Sequence, residues 1–196
     1  MKRTWIIVAL LALLAIILIG SVTKTYNNMV SKEEQVTAAW AQVENQYQRR
    51  LDLIPNLVAT VKGYAEFEQE TLTKVIEARA KASSVNIDAG NFTAETFRQF
   101  QEAQAGLSSA LSRLLVTIER YPDLKANQNF LELQAQLEGT ENRINVERNR
   151  FNETAREYNT YIKQFPRNIY ASIFNFDSKM YFEADEAAAE APKVEF

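Results

Sequence analysis

A helical repeat that continues through a proline is the feature that most constrains how this chain can fold. Apolar and aromatic residues recur every three or four positions on both sides of Pro55: Val36, Trp40, Val43, Tyr47, Leu51 and Ile54 before it, and Val58, Val61 and Ala65 after it. This is the spacing of one amphipathic helix face. A proline inside a helix costs about 3 kcal/mol. The pattern predicts one long helix kinked near Pro55; the alternative is two helices that meet at Asp52.

Composition limits both the fold and the chemistry. Only 5 glycines and 4 prolines occur in 196 residues, which favours long helices over tight-turned β architectures. Cysteine and histidine are absent, so thiolate chemistry, imidazole zinc sites and Ser-His-Asp triads are excluded. An enzyme would have to use carboxylates, lysine or tyrosine alone. We therefore expect no enzymatic activity, no cofactor and no metal site.

Residues 5–23 are predicted to be a transmembrane anchor that contacts the lipid bilayer. They carry no charge, and as a helix they would extend about 28 Å, close to a hydrocarbon core of about 30 Å. A cleaved signal peptide is the alternative, although the stretch before Ser21 resembles a cleavage site only weakly. Lys2 and Arg3 precede the segment and favour a cytoplasmic N-terminus, residues 1–4, with the rest of the chain outside.

Residues 24–182 are predicted to form the folded part. One helical pattern runs from about Val30 to Ala82 and is followed by a loop at 83–91. A second helix begins at the N-cap Thr93 and stops before Pro122. A third runs from about residue 129 to 164, and a short helix within 169–182 folds back on the others.

The fold class expected from these elements is all-α: an N-terminal transmembrane helix followed by an antiparallel bundle of long helices. Polar residues interrupt two of the apolar stripes, at Gln104 in the second helix and at Glu141 and Arg148 in the third. We expect Arg148 to be paired with Glu77 or Glu119, because a buried charge needs a partner. The acidic tail, residues 183–196, is predicted to be disordered.

Several separated blocks of the sequence resemble the LemA family. They are the stretch 45–65 around Pro55, Glu77-Ala-Arg-Ala80, Leu111-Ser-Arg-Leu-Leu115, Glu119 to Phe130, Leu137 to Ile144, Arg150-Phe-Asn152, Tyr158-Asn159 and Phe165-Pro166. The resemblance covers nearly the whole chain except the tail. It implies a bacterial, single-pass protein of the cytoplasmic (inner) membrane with an extracytoplasmic helix bundle and no established enzymatic activity.

Two groups of polar residues are candidate interaction surfaces. Arg49 and Arg50 lie beside the proline and could bind a phosphate-bearing lipid or an acidic partner. The alternative is an internal salt-bridge network with Asp52, Glu44 or acidic residues of a neighbouring helix. Asn56 is expected to donate its amide toward the Leu51 carbonyl that Pro55 leaves free.

The second candidate surface is a row of asparagines on the third helix. It consists of Asn142, Asn145, Asn149, Asn152, Arg156 and Asn159, which share one face at steps of three and four. Asparagine is a poor helix former, so the row needs a reason. It is an interface with another protomer, a polar seam inside the bundle, or plain surface. We expect the partners to be other membrane or envelope proteins, or further copies of this chain, and no nucleic acid, because no basic stripe is present.

Overall fold

The computed structural model describes residues 2–64, 68–85 and 93–183, and the side chains from residue 4 onward. Within those residues the regular structure is all-helical, which confirms the expected fold class. The helices are α1 (Lys2–Lys62), α2 (Gln69–Ser84), α3 (Ala94–Ile118), α4 (Pro122–Lys125), α5 (Gln128–Lys163) and α6 (Arg167–Phe174). The predicted disordered tail lies outside the described residues apart from Glu183, as does most of the predicted loop at 83–91.

Helix α1 is unbroken through Pro55, which excludes the alternative of two helices meeting at Asp52. It has 61 residues, or about 90 Å at 1.5 Å per residue; the kink itself stays a prediction. The Leu51 carbonyl that Pro55 leaves without its helical donor accepts a hydrogen bond from Arg79 Nε of α2 at 2.9 Å. The prediction that Asn56 serves this carbonyl is therefore wrong. The charged side chain of α2 reaches it from the buried side of α1, whereas Asn56 is exposed.

The prediction that the first bundle helix continues to Ala82 is also wrong. Helix α1 ends at Lys62, where Gly63 N–H donates to the Thr60 carbonyl and Tyr64 N–H to the Val61 carbonyl in a tight turn. The chain then reverses and starts a separate helix, α2. This reversal lets α2 bury its own apolar residues against α1 and α3, which a straight continuation could not do.

Local capping sets the other helix boundaries. Thr93 caps α3 as predicted. Its hydroxyl accepts a hydrogen bond from the Thr96 N–H, and the Thr96 hydroxyl accepts one from the Thr93 N–H. Asn127 caps α5 by accepting from the Phe130 N–H at 3.1 Å, close to the predicted start at about residue 129. Asn175 ends α6 in the left-handed conformation, with φ 59° and ψ 44°. The predicted short helix of 169–182 is thus helical only to Phe174, and residues 175–183, here called the strap, contain no helix or strand.

The bundle is built on two long antiparallel helices, α1 and α5, which are closely packed along their length. Pairing of Lys32 with Glu157 near one end and of Arg50 with Glu141 further along fixes their opposite directions. A second close pair, the α2–α3 hairpin, covers the half of α1 and α5 that lies far from the N-terminal segment. The α6 helix and the strap cover the near half.

Two hydrophobic cores follow from this division. The distal core is mainly aliphatic and contains Leu51, Ile54, Leu57, Val61, Leu72, Val75, Ala82, Leu107, Leu111, Leu114, Ile118, Leu124, Phe130 and Leu137. The proximal core is rich in aromatic rings and contains Met29, Val36, Ala39, Trp40, Val43, Tyr47, Phe97, Phe100, Ile144, Phe151, Ala155, Tyr158, Ile162, Ala171 and Phe182. Phe182 belongs to the strap, so the strap completes the proximal core.

The N-terminal part of α1 projects beyond the bundle. All residues from Thr4 to Ser21 are exposed, including large apolar side chains such as Leu10, Leu14 and Ile17. Among the described residues, α1 is the one helix long and apolar enough to cross a membrane. This agrees with the predicted anchor at residues 5–23.

Candidate functional site

Arg50 lies buried in a polar layer between the two cores. Its side chain is 2% exposed. The guanidinium donates to Glu141 of α5 at 2.7 Å and to Ser108 of α3 at 2.8 Å, and also to the Gln104 side-chain oxygen at 2.6 Å. Arg50 therefore joins α1, α3 and α5 and is an internal partner, which was one of the two sequence interpretations.

Arg49 occupies a different environment from its neighbour. It is exposed, and no hydrogen bond or ion pair of its side chain is found within the described part of the chain. Adjacent helical residues point about 100° apart, so burying Arg50 directs Arg49 to solvent. The predicted arginine pair is thus divided, and only Arg49 keeps a free guanidinium for a partner.

The asparagine face of α5 binds the backbone of the strap. Asn159 donates its amide to the Lys179 carbonyl and accepts from the Lys179 N–H, both at 2.8 Å. Asn152 makes the same two bonds with Phe182, at 2.9 Å and 2.8 Å. Each side-chain amide acts as a peptide group that closes a two-bond ring with one strap residue. These four bonds are made to main-chain groups, and the Asn159 amide also donates to the Tyr181 hydroxyl at 2.8 Å.

The spacing of the two asparagines matches the spacing of the two strap residues. Seven residues separate Asn152 from Asn159, or about 10.5 Å along an α-helix. Three residues separate Lys179 from Phe182, which extended chain covers in about 10 Å. Seven residues also make nearly two full helical turns, so both amides face the same side. The distance between the two asparagines thus matches the distance between the two residues of an extended segment that they bind.

Side chains of the strap reinforce the backbone contacts. The Phe182 ring is stacked on Trp40 with centroids 5.9 Å apart and also contacts Phe97 and Phe151. Arg148 lies 4.9 Å from the centroid of that ring and donates to the Glu183 carbonyl at 2.9 Å. The predicted pairing of Arg148 with Glu77 or Glu119 is therefore wrong.

Lys179 ties the beginning of the strap to α1. Its ammonium donates to Glu33 at 2.6 Å and lies 5.6 Å from the centroid of the Tyr158 ring. The Tyr158 hydroxyl is buried and has no hydrogen-bond partner among the described residues. Burial, and secondarily the charges of Glu33 and Asp177, raise the pKa of Tyr158 well above its ordinary value. The proximal core therefore holds Tyr158 in its neutral form.

The remaining predicted residues lie on the surface beside the strap. Asn142, Asn145, Asn149 and Arg156 are exposed. An open cavity of about 500 Å³ is lined by Asn149, Asn152, Glu153, Arg156 and Tyr181. The amides of Asn152 and Asn159 are engaged by the strap, so while the strap is in place the face offered to another molecule is the exposed four residues. Their role as an interaction surface stays a prediction.

No group of three Asp, Glu, His or Cys side chains that could hold a metal ion is found in residues 4–64, 68–85 and 93–183. The pKa of Glu70 is lowered by Lys74, and that of Glu95 by Gln99 and Arg98, but both carboxylates lie on exposed helix surfaces. Asn152 and Asn159, in contrast, act together and bind the main chain of the strap.

The sequence does not reveal the partners of these residues, although it contains a signal for the partners of Arg50. Gln104 and Glu141 interrupt apolar stripes, and both meet Arg50 in the polar layer. Two polar interruptions that meet the same arginine form a buried network. Phe182 lies in the segment predicted as a capping helix, and no periodicity in the sequence indicates that it fills the proximal core through an extended strap.

Comparison with known proteins agrees with the resemblance. The sequence model of the LemA family matches residues 39–196. Protein LemA of Metamycoplasma hominis is 25% identical over 160 residues, covering 82% of this chain and 69% of its own length. Magnetosome protein MamQ 2 of Paramagnetospirillum magneticum is 25% identical over 195 residues, with coverage of 90% and 71%. Magnetosome protein MamQ of Magnetospirillum gryphiswaldense is 25% identical over 208 residues, with coverage of 96% and 75%.

Proposed function

Because this chain belongs to the LemA family, we propose that it is a non-enzymatic scaffold of the bacterial cell envelope. Residues 5–23 cross the cytoplasmic membrane, residues 1–4 lie in the cytoplasm, and the bundle stands outside as a rigid surface for other membrane or envelope proteins. The N-terminal segment of α1, which is long and apolar enough to cross a membrane, supports a role at a membrane.

The observation that supports a scaffold most directly is the continuity of α1. The same helix contains the apolar segment and supplies the proximal core through Met29, Val36 and Trp40. A soluble domain that only needs to remain near a membrane can be attached by a flexible linker. A continuous helix instead holds the bundle at one height and in one rotational setting above the bilayer, which serves docking to neighbouring proteins.

The test of this function is residue-specific photo-cross-linking in native membranes. A photoreactive amino acid at the exposed positions Asn149 or Arg49 is expected to give discrete adducts with membrane or envelope proteins. A three-residue Gly-Ser-Gly insertion after Tyr26 breaks the continuity of α1 and should abolish those adducts while the protein remains in the membrane. Unchanged adducts after the insertion would contradict a fixed orientation, and no adducts from any exposed position would contradict the scaffold.

Orientation is tested by cysteine labelling, because the chain contains no cysteine of its own. In intact cells whose outer barrier has been made permeable, Asn129→Cys at the far end of the bundle should react with a membrane-impermeant maleimide. Lys2→Cys should react only after the cytoplasmic membrane is opened. The opposite pattern would place the bundle in the cytoplasm.

An alternative is a self-assembling protein that remodels the membrane. The exposed asparagines Asn142, Asn145 and Asn149 favour it, since side-chain amides could pair across two copies. Size-exclusion chromatography of the detergent-extracted chain separates the two functions. A monodisperse monomer would eliminate lateral self-assembly, whereas an oligomer lost on Asn145→Ala would support it.

A further inference from the structure

The α6 helix exposes an apolar face at the end of the bundle next to the N-terminal segment. Ile169 is 48% exposed and Ile173 63%, while Phe165, just before the helix, is 81% exposed. Ile169 and Ile173 are four residues apart within α6 and therefore lie on one side of the helix. The opposite side buries Ala171 in the proximal core, so the apolar side cannot turn inward. A grouped apolar surface of this kind marks an interaction site more often than isolated exposed residues do.

The level of this face along α1 identifies what it meets. Phe174 of α6 contacts Tyr26 with ring centroids 5.1 Å apart, and Phe176 contacts the same ring at 5.6 Å. Tyr26 lies three residues beyond the apolar segment 5–23, which is about 4.5 Å along the helix. The polar layer on each side of a bilayer is roughly 5–7 Å thick. Tyr26 and the rings that touch it therefore fall within the headgroup layer.

Burial along α1 places the bundle against the bilayer without a gap. Every residue from Thr4 to Ser21 is exposed, and Val22 is the first that is partly buried, followed by Thr25. Val22 belongs to the apolar segment itself, and α6 is packed on α1. The bundle therefore begins where the predicted membrane core ends.

We propose that α6 is a second membrane contact, an interfacial helix whose residues Phe165, Ile169 and Ile173 insert into the outer headgroup region of the bilayer that α1 crosses. This proposal rests on the membrane anchoring proposed above and deepens it. Aromatic rings are favoured in this layer, and short amphipathic helices lie in its plane. Exposed charges of both signs are nearby, including Lys24 and Asp177, so the apolar side chains supply the contact and neutral lipids suffice.

The experiment uses the full chain reconstituted in phosphatidylcholine vesicles. A fluorophore is attached at a single cysteine, and quenching by phosphatidylcholine with a nitroxide near the headgroup is measured. We expect Ile173→Cys to be quenched several-fold more than Val146→Cys, which is similarly exposed on α5 at 62% but lies away from the proposed contact. Equal quenching at the two positions would overturn the interfacial helix.

A third label separates this proposal from the anchor on which it rests. Leu14→Cys, in the apolar segment, should be quenched by nitroxide placed deep in the acyl chain. Quenching at Leu14 without quenching at Ile173 would leave the anchor standing and reject the docking of α6. Quenching at neither position would reject both, and quenching at Ile173 alone would reject the spanning helix while supporting the surface contact.

The apolar side chains themselves are tested by a substitution that leaves the label in place. Ile169→Asn is expected to reduce quenching of the Ile173→Cys label several-fold, because it removes part of the inserted face. Val116→Asn, a change at an exposed valine of α3, should leave it unaltered. If Ile169→Asn has no effect, although the emission of Trp40 in a Trp5→Phe background shows an intact proximal core, insertion of this face is refuted.

Discussion

The distal and proximal halves of the bundle cover their hydrophobic cores with different kinds of structure. In the distal half, helices α1 to α5 enclose a mainly aliphatic core that includes Leu57, Val75 and Leu114. In the proximal half, the described part of α2 and α3 contributes Phe97 and Phe100, near the start of α3, to the core. There the missing helical surface is replaced by the strap, and the core is filled by aromatic rings.

The difference follows from what an extended segment can and cannot supply. A helix satisfies its own backbone hydrogen bonds, but the strap must have its N–H and C=O groups bonded by other parts of the chain. Asn152 and Asn159 meet this need for Phe182 and Lys179. An extended chain also carries fewer side chains per length buried, so one large ring, Phe182, covers the area for which a helix would use several residues.

The polar layer around Arg50 lies at the boundary between the two halves. A substitution in this layer is expected to have the largest effect on the stability of the fold. Arg50→Ala should lower the free energy of unfolding by about 3–5 kcal/mol, because it leaves a cavity where a fully buried side chain lay and removes the donor from the buried Gln104 oxygen. Arg49→Ala, one residue away and exposed, should change it by no more than about 0.5 kcal/mol. Urea denaturation of the two variants measures this difference, and similar midpoints would show that the layer does not couple the halves.

Truncation of the Phe182 side chain should loosen the packing of the proximal core and leave the distal core intact. Phe182→Ala should weaken docking of the strap by about 3 kcal/mol and expose the face of Trp40. The chain has two tryptophans, so Trp5→Phe makes Trp40 the sole reporter. We expect a red-shifted emission and stronger iodide quenching.

Leu114→Ala is the matched change in the distal half. It should lower overall stability by about 2–5 kcal/mol but leave the native emission of Trp40 unchanged. A red shift in Leu114→Ala equal to that in Phe182→Ala would mean that the two cores respond as one unit.

The contribution of the asparagine–backbone hydrogen bonds to docking of the strap is tested with two asparagines on the same helix. Asn152→Ala removes both bonds to Phe182 and should make opening of the strap easier by about 1–3 kcal/mol. Asn149→Ala, on the exposed part of the face, should have little effect. Hydrogen exchange at the Phe182 amide distinguishes them; equal protection in both variants would show that the side-chain rings, and not the backbone bonds, hold the strap.

The sequence predicts the helical half of this comparison far better than the strap. Periodicity alone places α1 across Pro55 and α5 over most of its length, and Thr93 identifies the start of α3. The strap has no repeat, because its register is set by α5, a helix that lies before it in the chain. The same reason explains Arg79: the carbonyl freed by Pro55 is predictable, but its donor comes from α2 only after the turn at Gly63 reverses the chain.

Alkaline pH provides the smallest and most selective test, through Tyr158 in the proximal core. Burial raises the pKa of Tyr158, whereas in the unfolded chain it titrates near the ordinary value of about 10. The folded state therefore keeps a proton that the unfolded state releases. This contribution to stability is fully present below about pH 10 and is lost as pH rises further, by up to about 1.4 kcal/mol per pH unit.

Tyr158→Phe removes a buried hydroxyl without a partner among the described residues, so at neutral pH it should alter stability by less than about 1 kcal/mol. Above pH 10 the variant should become more stable than the original chain, as measured by urea midpoints across pH. Tyr26→Phe, at a partly exposed ring, is the control; an identical alkaline response of the two variants would show that the proximal core does not isolate Tyr158 from water.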